Sequence, residues 1–289
     1  MDPNEERLRQ DLDLEVTHAQ RIGGQHGVDH FRLRMADGRV AFAKAAFAQV
    51  ASGAGQAGFP AEAAGLRWLR GELTVAVPEV LAVTESVLVI EWVPEGSPSV
   101  GAADRFGAEL ARLHASGAAH FGAPWPGVIA GLPLPNDEAD SWPDWYAACR
   151  VLPFARIARD RGSLSAADVA LIESAAGHIA AVAGPPEPPG RIHGDCWSGN
   201  VLWSGGRGWL IDPAAHGGHR ETDLAMLALF GAPQLDRILA AYQEVAPLAG
   251  GWPARVPLHQ LHPLLVHVCL FGASYRDSAL AAARAVLSG

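Results

Sequence analysis

Short stretches of alternating hydrophobic and polar residues occupy the first third of the chain and predict an antiparallel sheet. Residues 21–35 predict a glycine turn followed by a strand, and residues 39–47 alternate again. Residues 36–38 (Ala-Asp-Gly) between them are typical of a tight turn, so the two stretches predict a β-hairpin. The β-branched runs at 74–83 and 86–93 predict two more strands.

Helical patterns lie on both sides of these strands. The charged residues 3–20 predict a first helix. Residues 60–71 predict another, because Pro60 suits the first turn of a helix and Gly71 suits its end. Between the hairpin and this second helix, residues 48–58 are rich in Gly and Ala, and we expect them to be mobile.

The rest of the chain is mainly helical. Residues 103–116 carry a strong helical pattern, whereas residues 121–143 hold many Pro and Gly and predict a loop. A compact block of Gly, His, Asp and Trp at 190–220 interrupts the helices that follow.

This change in pattern along the chain predicts an α+β fold with two lobes. The small lobe (1–94) holds the antiparallel sheet, and the larger lobe (95–289) is mainly helical. Since Pro, Gly and Ser are concentrated between the two patterns, we expect a hinge at about 91–98.

Composition and charge narrow the classes of function. A net charge of -9 argues against nucleic acid as the main partner. Three cysteines far apart indicate neither a disulfide framework nor a zinc site. No uncharged apolar run of membrane-spanning length is present, and the acidic N-terminus differs from a targeting peptide. We expect a cytoplasmic protein, monomeric or weakly dimeric, that has no membrane partner.

The chemistry is concentrated in residues 191–225, RIHGDCWSGNVLWSGGRGWLIDPAAHGGHRETDLA. Asn200 follows Asp195 by five residues and precedes a predicted hairpin that ends at Asp212, so Asn200 and Asp212 are expected to lie side by side. An amide and a carboxylate oxygen suit Mg²⁺. Asp195 is placed to orient an attacking hydroxyl or accept its proton, and Lys44 is the only lysine in the chain. A base, metal ligands and a lysine are the parts needed for phosphoryl transfer.

The spacing of these residues resembles that of the protein-kinase catalytic loop and its metal-binding Asp. The strings HGDCWSGNVLW, LIDPA and GHRETDLAMLALFG are similar to HGDLWSGN, IDPA and GHREADLAM of the fructosamine kinase (ketosamine 3-kinase) family. LARLH (110–114) and LPLPN (132–136) also lie where that family has similar strings. The family belongs to the aminoglycoside phosphotransferase-like group of small-molecule kinases.

This resemblance implies a bilobal protein-kinase-like fold, ATP and Mg²⁺ as cofactors, and phosphorylation of a ketosamine in deglycation repair. It implies the following residues: catalytic Asp195 and Lys44; nucleotide-binding Gly23, Gly24, Lys44, Glu62, Glu91 and Val93; metal-binding Asn200 and Asp212; substrate-side Trp197, His219, Arg220 and Glu221; supporting His193 and Asp223. In this scheme Glu62 pairs with Lys44, and backbone groups at 91–93 meet the adenine.

Several alternatives stay open. The chain departs from the family strings at 127–130, at Cys196 and at 216–217, and the first and last of these put the acceptor in doubt. An aminoglycoside or another amino-alcohol is therefore a rival acceptor, and a nucleotide-binding pseudokinase is a rival without catalysis. Trp197 also fits plain core packing, and His219, Arg220 and Glu221 also fit an ordinary solvated turn.

The sequence contains a further group of candidate ligands near its C-terminus. His259, His262 and His267 lie at near-helical spacing, which suits a metal site, but Pro263 interrupts the pattern and no carboxylate or cysteine is close in sequence. We expect these histidines to be surface and core residues.

Overall fold

An antiparallel sheet forms the N-terminal part of the computed structural model, which describes residues 6, 8, 12, 14–25, 27–46, 58–72 and 74–289. Five strands, in the spatial order β1-β2-β3-β5-β4, make up this sheet. They are β1 (Val16–Gln25), β2 (Val28–Met35), β3 (Val40–Ala45), β4 (Val80–Val83) and β5 (Val87–Glu91).

Alternation along β3 decides which side chains face the core. Ala41 and Ala43 are fully buried in an apolar cluster with Phe31 of β2, as expected for every second residue of a strand. Lys44 points to the other face of the sheet and lies opposite His30 in the β2–β3 register. The predicted hairpin across residues 36–38 is therefore confirmed.

The prediction of a helix over residues 3–20 is wrong from Val16 onward, where β1 begins. Only Ala19 of β1 is buried, so side-chain pattern gives little sign of this edge strand. β1 forms because its backbone pairs with β2, and this pairing outweighs the weak helical preference of its residues. Most of the remaining predicted helix, and residues 48–57 of the stretch expected to be mobile, lie outside the described residues.

The helix α1 (Phe59–Arg70) lies between β3 and β4 in sequence and agrees with the predicted helix over 60–71. One face of α1 packs with its aliphatic and aromatic side chains into a core cluster that also holds Phe106 and Leu224 of the C-terminal part. Residues on both sides of the predicted boundary at 94 therefore share this cluster. The proposed hinge at 91–98 stays a prediction.

Helices make up most of the C-terminal part. They are α2 (Val100–Ala115), α3 (Trp142–Tyr146), α4 (Leu152–Asp160), α5 (Ala166–Val182), α6 (Glu221–Leu229), α7 (Leu235–Val245), α8 (Trp252–Phe271) and α9 (Arg276–Ser288). A single π-helical turn, Ala147–Val151, joins α3 to α4.

Short antiparallel pairs connect these helices. They are β6 (Gly127–Ile129) with β7 (Leu132–Leu134), β8 (Gly190–Ile192) with β11 (His216–Gly218), and β9 (Val201–Ser204) with β10 (Arg207–Leu210). The β9–β10 pair is the hairpin predicted after Asn200. The β6–β7 pair lies inside the predicted loop, where strands of three residues leave no readable alternation.

The C-terminal helical stretch Trp252–Ser288 is long and apolar enough to cross a membrane by length and composition alone. However, 56% of its most apolar window is buried inside the protein, as is usual for the central helix of a helical core. Leu261 and Leu265 of α8 are completely buried in the largest apolar cluster.

Candidate active site

The loop after β8 carries His193-Gly194-Asp195 and is held by Asp223 at the start of α6. The Asp223 carboxylate accepts the backbone N–H groups of His193 (2.7 Å) and Gly194 (2.9 Å). Gly194 has φ +81°, and a Cβ atom there would lie 2.2 Å from the carbonyl oxygen of Ala214. Only glycine fits this close approach, which explains the small residue between His193 and Asp195.

The His193 ring connects the loop to the segment before Asp212. Its Nε2–H donates to the Ile211 carbonyl (2.8 Å), while Nδ1 accepts the backbone N–H of Asp195 (3.2 Å). Burial lowers the pKa of His193, so the ring is neutral. These contacts give His193 a supporting role.

Asn200 and Asp212 meet beside Asp195. The Asn200 amide nitrogen donates to the backbone oxygen and to Oδ2 of Asp195, both at 2.9 Å, and lies 3.4 Å from the Asp212 carbonyl oxygen. Asp212 has φ +54°, a left-handed conformation that is costly for a residue with a side chain. Such strain is found mainly at functional sites.

Lys44 is enclosed by two carboxylates and is 8% exposed. Its Nζ donates to Asp212 Oδ1 (2.7 Å) and to Glu62 Oε1 (2.9 Å) and Oε2 (3.1 Å). Burial by itself would lower the pKa of Lys44, but the two negative charges outweigh it and hold that pKa above its ordinary value. Burial raises the pKa of Glu62 to about 7. The charge of Lys44 opposes this rise, and the negative charge of Asp212, which shares the same ammonium, adds to it.

Asp195 has the electrostatics expected of a general base. Burial raises the pKa of its carboxyl to about 7, the charges of Asp212 and Asp223 add to the rise, and the hydrogen bond from Asn200 opposes it. A base is most effective when its pKa lies near the working pH.

The oxygen atoms at this site fit a Mg²⁺ ion. All three contacts of the Asn200 side chain use its amide nitrogen, so its oxygen is left as a potential ligand. Asp212 has a side chain that is 36% exposed, and its contact with Lys44 uses Oδ1. Hard oxygen ligands and room for further ones are what Mg²⁺ requires.

The predicted glycine turn differs from the structure. Gly23 and Gly24 lie within β1, after a register shift between Arg21 and Gly23, and the strand continues to Gln25. Gly24 has φ +158°, and a Cβ atom there would lie 2.7 Å from the carbonyl oxygen of Val28. The pair therefore shapes the end of the β1–β2 hairpin without forming its turn.

At the other end of the sheet, Glu91 closes β5, and Val93 lies two residues beyond it. The backbone N–H of Glu91 already donates to the Glu79 carbonyl (2.8 Å). That group is therefore not free for a nucleotide base.

A cavity opens beside Asp195. It is a small, open-mouthed cavity that encloses about 310 Å³ when the open space at its mouth is included. Gly194 and Asp195 line one side, and His262 and His267 of α8 contribute to the lining from the C-terminal helices. Sequence reasoning missed both histidines, because no local signal connects α8 with the catalytic loop.

Trp197 is 38% exposed, so plain core packing does not describe it. Its indole contacts Phe230 edge-on, with ring centroids 6.1 Å apart. Phe230 is also exposed. The two rings form an exposed apolar surface, and Trp197 lies two residues after Asp195 in the sequence.

The expectation that His219, Arg220 and Glu221 shape the substrate end of the site is not supported. Arg220 forms a two-pronged ion pair with Glu187, both contacts at 2.7 Å. His219 and Glu221 are buried, and Arg255 donates to both carboxylate oxygens of Glu221. These side chains are engaged by other parts of the protein and do not line the cavity.

His219, Glu221 and His259 also lie close enough together to suggest a metal site. However, Nδ1 of His219 accepts the backbone N–H of Glu221 (3.3 Å), which leaves the proton of the neutral ring on Nε2. Arg255 already neutralises the carboxylate. The group is therefore a buried ion-pair network that ties α6 to α8.

The residues at which the chain departs from the family strings lie in different parts of the structure. Ile129 lines the cavity beside Asp195, so the change at 127–130 reaches this cavity. His216 is buried against Trp145, with ring centroids 5.1 Å apart, and lies outside the cavity lining. Cys196 is completely buried in a core cluster, where a small apolar side chain is suited.

A family model described as fructosamine kinase matches residues 7–288. The chain is 34% identical over 228 residues to a protein of Synechocystis named as a probable ketoamine kinase, and the match covers 76% of each chain. A crystal structure of a candidate fructosamine-3-kinase from Thermobifida fusca YX-ER1 is 49% identical, with a TM-score of 0.93 over 100% of both chains.

A thermostable variant of aminoglycoside phosphotransferase APH(4)-Ia, in complex with ADP and hygromycin B, superimposes with a TM-score of 0.65. The match covers 97% of this chain and 98% of that one, but the identity is 16%. At that identity the similarity shows the shared protein-kinase-like fold.

Proposed function

Because the chain belongs to the fructosamine kinase family, and is therefore an ATP-dependent kinase that acts on ketoamines, we propose that it transfers the γ-phosphoryl group of ATP to the 3-hydroxyl of a ketosamine. The acceptor is a fructosamine or ribulosamine on a protein or a free amine, and the role is deglycation repair. The observation that carries the proposal is Asp195, which lies on the catalytic loop and on the wall of the cavity at once.

In this proposal the site residues have the following roles. Asp195 orients the acceptor hydroxyl and takes its proton as the oxygen attacks the γ-phosphorus. Lys44, held by Glu62, places a positive charge on the phosphates. Asn200 and Asp212 are the residues that would hold Mg²⁺, which when bound neutralises charge on the phosphates.

The nucleotide is expected between the sheet and the catalytic loop. Gly23 and Gly24 at the end of the β1–β2 hairpin allow close approach of the backbone to the phosphates. The backbone of residues 91–93, apart from the Glu91 N–H, provides the edge for the adenine.

We also propose a surface and a compartment for the reaction. Trp197 offers a flat face to the sugar or to the amine that carries it. The three cysteines are free and buried, as suits a protein kept in the reducing cytoplasm.

Product analysis tests this proposal. The purified protein is incubated with ATP and Mg²⁺ and with fructosyl-lysine, ribulosyl-lysine or an aminoglycoside, and the position of the phosphate is determined by NMR. We expect a ketosamine 3-phosphate, and no product when the metal is chelated. Phosphorylation of the aminoglycoside with both ketosamines left unmodified would contradict the proposed acceptor.

A further inference from the structure

The far wall of the cavity beside Asp195 contains two histidines of α8 whose roles are not explained by phosphoryl transfer. Besides Asp195, the polar side chains that line the cavity are His262, His267 and Thr222, and the Thr222 hydroxyl is hydrogen-bonded to Nδ1 of His259 (3.0 Å). No lysine or arginine of the described part of the chain lines it. The hydrogen-bonding state of these two rings therefore decides which acceptor molecule the cavity suits.

The His262 ring has a defined tautomer. Its Nδ1 lies 3.0 Å from the carbonyl oxygen of Arg150, and a carbonyl only accepts, so Nδ1 carries the proton. Burial and the nearby charge of Arg150 lower the pKa of His262 to about 3, so the ring is neutral. Its Nε2 is then a hydrogen-bond acceptor.

No protein group in the described part of the chain donates to this Nε2 atom. It is also not among the fully buried side-chain atoms that lack a partner, whereas Nε2 of His259 is. Since His262 lines the cavity, its free Nε2 is accessible there.

The surroundings hold the His262 ring rigidly. Pro263 has no N–H to donate to the His259 carbonyl, and next to this break the Tyr146 hydroxyl accepts the His262 N–H (3.2 Å) and donates to the Leu258 carbonyl (3.0 Å). Phe154 packs edge-on against the imidazole, with centroids 4.7 Å apart. A side chain fixed at both backbone and ring is prepared for ligand binding before the ligand arrives.

His267 repeats the arrangement closer to solvent. Its Nδ1 lies 2.8 Å from the Pro263 carbonyl oxygen, so Nδ1 carries the proton and Nε2 is again an acceptor. Phe230 and Tyr275 pack on the ring, with centroids 5.0 Å and 4.8 Å away. No donor to its Nε2 is present within the described ranges.

We propose that His262 and His267 bind the acceptor molecule through their Nε2 atoms and thereby select substrates whose sugar is rich in hydroxyl and ammonium donors and carries no phosphate or carboxylate. This inference rests on the proposed function. Together with the Asp195 carboxylate, the two rings give the cavity three acceptors. A ketosamine matches them, because its hydroxyl groups and protonated secondary amine are donors. An anionic sugar is repelled by Asp195 and finds no cation on the described walls.

Substitution by asparagine separates the binding role of His262 from its structural role. An Asn amide can replace the Nδ1–H donor to the Arg150 carbonyl but has nothing in place of Nε2, whereas Gln can place an oxygen near the Nε2 position. We compare His262→Asn and His262→Gln with His178→Asn, a control on α5, which contributes no residue to the cavity lining. The readouts are kcat and KM for ketosamine, the Kd for ADP, and thermal unfolding.

We expect His262→Asn to lose ~10-fold or more in kcat/KM for the ketosamine, mainly through KM, as is typical for loss of a hydrogen bond to a charged or polar group. The Kd for ADP should stay within ~2-fold, and His262→Gln should recover part of the loss. The wild type should also use a ketosamine that carries a phosphate on its sugar ~10-fold less well or worse, in line with the cost of an unpaired polar group.

A folded His262→Asn variant with wild-type KM for the acceptor would overturn the inference, as would equal use of the phosphorylated ketosamine. If His262→Asn does not fold, His267→Asn decides the same question through the same readouts. A wild type inactive on every ketosamine overturns the proposed function instead, and the variants are then compared on the best acceptor of the panel.

Discussion

Lys44 is the only lysine among the 289 residues, and its surroundings explain why the abundant arginine does not replace it. The ammonium fits between Glu62 and Asp212 with contacts of 2.7–3.1 Å. A guanidinium is larger and planar, and it cannot occupy the space of a compact ammonium.

We therefore predict that Lys44→Arg loses ~100-fold or more in kcat/KM for ATP, a loss typical of a misplaced phosphate-binding charge. Its far-UV circular dichroism should stay that of the wild type, because the Lys44 backbone keeps its place in β3. Arg21→Lys, an exchange of the two cation types at an exposed ion pair, is the matched control. Near wild-type kinetics for Lys44→Arg would show that the ammonium is not essential.

At the scale of elements, α8 depends on a side chain from α3. Tyr146 is fully buried, and its hydroxyl bridges two backbone groups of α8 at the break before Pro263. Tyr146→Phe leaves those groups without a partner, and we predict a loss of about 1–3 kcal/mol in the free energy of unfolding.

Urea unfolding measures the loss, with Tyr275→Phe as the control, because the Tyr275 hydroxyl makes no hydrogen bond within the described part of the chain. An unchanged free energy for Tyr146→Phe would mean that the bridge at the break contributes nothing. A ketosamine KM that rises in parallel would connect the bridge to the position of His262.

The start of α5 is held by a capping box and an ion pair. Ser165 and Asp168 form a capping box, and Asp168 also pairs with Arg276 at the start of α9. Hydrogen bonds from Arg276, with further ones from Ser165, lower the pKa of Asp168 to about 2. A carboxyl with a lowered pKa stabilises the fold above its unfolded pKa, and this stabilisation is lost as the pH falls toward the folded pKa.

We predict that Asp168→Asn reduces the free energy of unfolding by about 1 kcal/mol at neutral pH, the usual value of a helix cap. The difference from wild type should shrink as the pH falls from about 4 toward 2, where wild-type Asp168 also loses its charge. Urea titrations at several pH values check this, with Asp160→Asn at an exposed pair as control. A difference that does not vary with pH would contradict the assigned charge.

Some elements are readable from the sequence and others are not, for physical reasons. The β2–β3 hairpin and α1 carry turn and cap residues beside a regular pattern, and both are present. In β1 only Ala19 is buried, so the strand exists through backbone pairing that no side-chain pattern records. The three-residue strands β6 and β7 are too short to show a period at all.

At the scale of the whole molecule, site residues that are close in sequence are easier to predict than site residues that are far apart. Asp195, Asn200 and Asp212 belong to one loop and hairpin, so their spacing was enough to bring them together. The contact of Lys44 with Glu62 was inferred from resemblance, because it depends on how α1 packs against the sheet. His262 lines the cavity beside Asp195 only because of how α8 packs, and the local sequence does not encode this packing.

The two parts of the chain cooperate in one site. Lys44 and Glu62 come from the sheet and α1, whereas Asp212 comes from the C-terminal part, and a shared apolar cluster lies between α1 and the C-terminal helices. In the proposed reaction Lys44 contacts the phosphates of the nucleotide, and Asp195 contacts the acceptor hydroxyl.

The most direct test of the proposed mechanism compares the rate of ketosamine-dependent ADP formation by the wild type with that by Asp195→Asn under identical conditions. In the proposed mechanism Asp195 is the base, so we predict that kcat of the variant falls by ~10²–10⁴-fold while its Kd for ADP is unchanged. A folded Asp195→Asn variant with kcat near that of the wild type would contradict the assignment of Asp195 and with it the proposed mechanism.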